Sequence, residues 1–208
     1  MTMNIMPAHH MVERVCQAAA DLTPALWEAQ SNAIVEAHTR CAGLTGNNAT
    51  VANAFITRSL FVAGLRDIGL PNGWTVTETG TKVTLEHPSF LLRYLKEKPG
   101  ARRAPAAGHN QARRTQWAAP LFDVDRQSEL LLLWSPSLIT EAGLDGFAMR
   151  VAHPKSAGDN GPTVDVDLSI RLQPEAGLDD YRHFVGDPSE EDLYARIDAI
   201  DAIRDGIF

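Results

Sequence analysis

The hydrophobic period of this chain changes once, and that change fixes most of what it can fold into. Up to Gly69 the apolar residues recur at helical spacing; from Trp74 they alternate. Met11, Val15, Ala19 and Leu22 share one helical face. Thr23 followed by Pro24 supplies a cap and a first-turn proline, so the spacing predicts a second helix there, burying Leu26, Gln30, Ala33, Ile34, Ala37 and Cys41. The stretch AGLTGNN breaks that helix, and Asn48 or Thr50 can cap a third. The third carries Val51, Phe55, Ile56, Leu60, Phe61, Val62 and Leu65, so little polar surface that its place is expected in the core. Gly69 and then Pro71 close the helical part.

Beyond Trp74, WTVTETGTKVTLEH reads as a β-hairpin turning at Gly80, and SFLLRYLKE as a strand or a short helix. Three further strands follow at 129–134, 146–153 and 163–173. ELLLLW is apolar throughout, which suits a central strand, whereas TVDVDLSIRLQ alternates and keeps one face wet. Ser189 caps an acidic helix with Leu193, Ile197, Ile200 and Ile203 or Ile207 on one side, a stripe that needs something to dock on. The expected fold class is α+β, a single domain over 1–208. A three-helix segment (1–70) packs on a mixed or mostly antiparallel sheet of five to six strands (73–173), with an acidic C-terminal helix (188–206).

At 208 residues the chain is long enough for a real core. No apolar run approaches the roughly 20 residues that span a bilayer, and the start has no basic region ahead of an apolar one, so a soluble, cytoplasmic protein with no membrane partner is expected. Cys16 and Cys41 read as reduced and buried in separate helices. Fifteen arginines against four lysines, with much alanine, suggest a bacterial or phage genome rich in GC.

Charge is segregated. Between residues 93 and 114 seven cations face one acid, Glu97, a local balance of +6 in a chain of net charge -7; residues 173–208 carry ten acids and three arginines. The basic loop, 96–116, admits three readings. Arg102, Arg103, Arg113 and Arg114 can bind phosphates bidentately, with Trp117 offering a stacking face, which makes nucleic acid the expected partner. The same residues can bind an acidic protein surface, such as the C-terminal helix of another copy in a homodimer. Composition also fits a solvated insertion. The overall acidity opposes a dedicated nucleic-acid binder but not a bipolar one.

Candidate chemistry elsewhere is sparse. FDVD and VDVD place Asp123 with Asp125, and Asp165 with Asp167, two apart; brought together, the four carboxylates could hold Mg²⁺ or Mn²⁺ for phosphodiester cleavage. Alternating aspartates also blunt a sheet edge, and the acid-x-lysine element usual in restriction-type nucleases is missing. His87 and His153 each precede a proline at a strand end, where a hydrogen-bonded turn histidine is the plainer reading. No zinc spacing, nucleophile elbow, P-loop or dinucleotide fingerprint occurs, so no cofactor is indicated. The expectation is a non-enzymatic protein that binds a macromolecule, with nucleic acid ahead of an acidic protein surface and a metal-dependent nuclease third.

Overall fold

A computed structural model describes residues 6–71, 73–108, 114, 115, 117, 128–136, 146–158, 161–175 and 178. Two helices lead, not three. α1 (Met6–Arg40) runs unbroken through Pro24, where the cap-plus-proline signal predicted a boundary. Pro24 removes one backbone donor, and inside a helix this costs on the order of 3 kcal/mol. One residue earlier the Thr23 hydroxyl donates to the Ala19 carbonyl at 2.6 Å. The larger reason lies in packing: Val12, Val15, Cys16, Ala19 and Leu22 before the proline, and Leu26, Ala29, Ala33 and Ala37 after it, are all buried. Each large side chain in that stripe contributes about 1.5–3 kcal/mol when removed from water, so tertiary burial overrides the local stop signal. Cys16 and Cys41 are free and buried. They lie near opposite ends of this one helical rod, ~38 Å apart at 1.5 Å per residue, which rules out a bond between them.

α2 (Gly46–Ile68) starts ahead of the expected caps, from Thr45 in extended conformation. It stops where the sequence predicts, with the Gly69 N–H donating to the Leu65 carbonyl at 3.1 Å. It returns along α1 with Gly64 against Ala29, a pairing of small residues that lets the two axes come close. The expectation that α2 lies in the core holds for only half of it. Thr57, Phe61, Val62 and Leu65 are buried, whereas Val51 and Phe55 are 69% and 57% exposed.

The sheet is built from β1 (Thr75–Thr79), β2 (Lys82–Glu86), β3 (Phe90–Lys96), β5 (Ser128–Pro136), β6 (Phe147–Pro154) and β8 (Val166–Leu172), in the spatial order β1-β2-β3-β5-β6-β8. β1 and β2 form the expected hairpin, turning at Gly80 with φ 60. SFLLRYLKE resolves as a strand because Phe90, Leu92 and Tyr94 fall on one face and are all buried. Every neighbouring pair is antiparallel except β3 with β5, aligned from Phe90 opposite Ser128 to Lys96 opposite Trp134. β5 has neighbours on both sides, and Leu130 to Leu133 are at most 1% exposed, as its unbroken apolar sequence anticipated. A short second sheet pairs β4 (Ala104–Pro105) with β7 (Thr163–Val164).

One face of the main sheet meets the helices in a single apolar core. Leu92, Leu130, Leu132, Met149, Val151, Leu168 and Ile170 pack there against Leu22, Leu26 and Phe61. Phe61 stacks on Tyr94 at 4.3 Å between ring centroids, and Trp27 meets Phe147 at 4.5 Å. The Tyr94 hydroxyl donates to Gln30 Oε1 at 2.7 Å; burial pushes its phenol well above the ordinary range despite that bond. At the other end of the sheet Arg14 bonds Ser89 and lies over the Phe90 ring. These contacts orient the helical hairpin of α1 and α2: it climbs from Phe90 to Tyr94, and its tip, with Leu44, Val51 and Phe55 exposed, continues past that level. The predicted acidic helix, 188–206, lies outside the described residues. No helix among the described residues is long and apolar enough to cross a membrane.

Candidate functional site

A parallel pair of strands cannot be joined by a tight turn; the chain must cross over one face of the sheet. Between β3 and β5 the crossover is residues 97–127, which contain the basic segment. Its described part lies on the face opposite the helices. There Ala104, Ala107, Trp117, Leu131, Leu133, Ala152, Ala157 and Val164 form a second, smaller core. Over 97–108 the segment is therefore not a solvated excursion.

Charges hold this cover where its apolar area is small. Arg150, in the middle of β6, points to this face and donates to both oxygens of Glu97, Nε to Oε1 at 3.0 Å and Nη2 to Oε2 at 2.6 Å. The same guanidinium donates to the carbonyls of Arg102 and Arg103, each at 3.3 Å, and to Ser169 Oγ at 3.0 Å. The one acid of the basic segment is thus the group that fastens it to the sheet. Deeper in, Arg93 Nε donates to Glu129 Oε1 at 2.9 Å, with both side chains under 8% exposed. Trp117 Nε1 donates to that same oxygen at 3.0 Å, while Oε2 has no partner among the described residues. Gly158 completes the packing at φ 77: a Cβ there would sit 2.5 Å from Val164 Cγ1. Its carbonyl accepts from Arg114 Nη1 at 2.8 Å.

The predicted binding residues accordingly divide. Trp117 is 1% exposed and spends its indole N–H on Glu129, so the expected stacking face is turned into the protein. Arg114 ties the cover to the turn at Gly158. Arg102 projects from the surface, and Arg103 does so beside Asp165, Nε to Oδ1 at 2.7 Å, with both partners more than half exposed. Arg113 lies outside the described residues. Lys96 and Lys98 are also exposed, Lys96 with its ammonium 5.2 Å from the centre of the Trp134 ring. Arg171, directly opposite Arg150 in register, adds another exposed cation that the count along the chain missed.

Asp165 and Asp167 do not converge. Asp165 faces Arg103, while His153 Nδ1 lies 2.7 Å from Asp167 Oδ1 across the bulge where the β6 and β8 register slips. Asp123 and Asp125 lie outside the described residues, and no group of three metal-ligating side chains forms among those described. His87 accepts from the Ser89 N–H at 3.2 Å and stacks with Trp74, the geometry of a turn histidine. The sequence carried signals for the buried ion pairs that are visible in retrospect: Glu129 heads an otherwise apolar strand, Arg150 interrupts another, and Glu97 is alone among cations. No protein-family model matches this chain, and no curated protein or solved structure does so either.

Proposed function

We propose that this is a non-enzymatic nucleic-acid-binding protein whose contact surface is the outer side of the crossover, centred on Lys98, Arg102 and Arg103. The observation that carries this reading is the double anchorage of the backbone at Arg102 and Arg103 by Arg150, which is itself clamped by Glu97. Two adjacent guanidinium groups are held on a fixed backbone with their side chains outward, so less ordering entropy is lost when they meet phosphates. Arg103 already engages a carboxylate, Asp165, but an exposed pair of this kind contributes at most about 1 kcal/mol. A phosphate oxygen can displace it. Guanidinium and ammonium groups pair with phosphate oxygens whatever the base sequence, so the expected contact is to the backbone.

The test is fluorescence anisotropy with labelled duplex and single-stranded DNA and RNA across a salt series, comparing the wild-type chain with a Lys98→Ala/Arg102→Ala/Arg103→Ala variant. About three phosphate contacts give an expected slope near -3 for log K against log salt on duplex DNA. The triple variant should lose at least about tenfold in affinity at low salt while keeping its melting temperature. Absence of binding by the wild-type chain at low salt would refute the reading and turn attention to an acidic protein surface.

A further inference from the structure

Val51, Phe55 and Val62 lie on one stripe of α2, since spacings of four and eleven return to nearly the same angle at 3.6 residues per turn. Val62 is buried in the core, whereas Phe55 and Val51 are exposed. Arg58 divides the stripe between Phe55 and Val62, and only the part on the Val62 side is covered. The sheet ends at Lys96 and Pro136, Gln30 and Phe61 contact Tyr94 near that end, and farther along the helix pair Val35, Leu44, Val51 and Phe55 are exposed. Within this overhang Glu36 and Arg40 pair with each other and Arg58 lies at its base, while residues 41–57 between them contain no charged side chain. Val51, Phe55 and Leu44 together leave a bare apolar patch at the tip, a surface suited to being covered.

The path of the chain supplies the occupant. β8 ends at Leu172, opposite Met149, which itself lies opposite Trp134. The chain therefore leaves the sheet at the end where the hairpin overhangs, and Leu178 packs against the helix-side core. Residues 179–208 follow. Within them Leu193, Ile197, Ile200 and Ile207 recur at helical spacing, with six acids and two arginines between 190 and 205 on the remaining positions. Such a segment cannot bury its stripe alone; with the stripe covered, its acids stay in water on the opposite side. Reach is sufficient: residues 179–189 extend to ~36 Å at 3.3 Å each, against ~21 Å from the level of Trp27 to the tip at 1.5 Å per helical residue.

We propose that residues 190–207 dock on the overhang of their own chain, laying Leu193, Ile197 and Ile200 over Val51 and Phe55 as a third helix beside α1 and α2. Hydrogen exchange on the full chain tests this from both sides. Phe55→Asp, a change at an exposed position, should speed exchange of the amides in 190–207 at least tenfold. Ile197→Asp/Ile200→Asp should do the same for those in 46–57. Strand amides in 128–136 should be unaffected in both variants. No exchange change in the distal segment of either variant would overturn the proposal. So would protection of 46–57 in the wild-type chain that vanishes on dilution as light scattering reports dissociation, because the occupant would then be a second copy.

Discussion

The two faces of the sheet are closed by different physics. On the helix side nearly every buried side chain is apolar; of the polar exceptions, Thr23 bonds back to the Ala19 carbonyl, and Gln30 accepts from Tyr94 through Oε1 while its Nε2 has no partner among the described residues. On the crossover side the apolar cluster is small and rich in alanine, and two ion pairs are taken out of water beside it. Long amphipathic helices bring enough apolar area to hold themselves down. An irregular crossover does not, and its backbone groups need partners wherever they meet the sheet. Arg150 meets that need with one side chain, donating to a carboxylate, two carbonyls and a hydroxyl. The lesson concerns arginine: the same residue type that looks like a phosphate reader along the chain serves as a staple when it lies across from a carboxylate.

The contrast breaks most sharply at Glu129. Glu129→Ala leaves Arg93 buried without its counter-charge and Trp117 without its acceptor, and should cost about 3–5 kcal/mol in a denaturant titration. Replacing both members, as Arg93→Met/Glu129→Leu, should restore most of that loss, because a buried pair exchanged for apolar groups is close to neutral. A double variant as unstable as the single one would mean the pair contributes more than its own desolvation. Glu97→Ala tests the shallower pair. It should lower stability by about 2 kcal/mol and speed amide exchange across 101–107 while leaving α1 and α2 protected. Loss of protection in both regions alike would show that the two faces unfold as one.

The smallest effect sits on the helix side. The Tyr94 phenol ionises above its ordinary value of 10.0 in the folded protein because burial disfavours the anion. The unfolded chain releases that proton first, so stability is intact below pH 10 and declines as pH rises past it. Tyr94→Phe should remove this alkaline decline, at a cost near neutrality of about 1 kcal/mol for the hydrogen bond to Gln30. Melting temperatures taken from pH 7 to 11 for both proteins would check it; parallel curves would assign the decline to other groups.

Which parts were legible in the sequence follows from how far apart the deciding residues stand. The hairpin at Gly80, the stop at Gly69 and the buried β5 are set by neighbours within a few residues, and each lies where spacing predicts. Pro24 misled because its cost is local and its compensation is not: the stripe from Val12 to Ala33 outweighs it only once α2 and the sheet pack against it. α2 misled in the opposite sense, since its apolar sequence could not reveal where the sheet ends. For the candidate site, Arg102 and Arg103 project outward as the charge pattern suggested, whereas Trp117 and Arg114 turn inward.

By itself the sequence determined the change of period, and with it a helical part followed by a sheet, because side-chain spacing along a helix or strand is a property of the backbone alone; that the helical part is two helices and not the expected three was decided by packing. It also determined that positive charge would gather near residue 100. Only the tertiary structure decided what that charge does. Glu97 and Arg150 stand 53 residues apart, and Arg93 and Glu129 stand 36 apart; whether an arginine is solvated or clamped depends on what lies across the sheet. The parallel alignment of β3 with β5 forces the basic segment over the sheet, and that crossing separates the cations held inside from those left exposed.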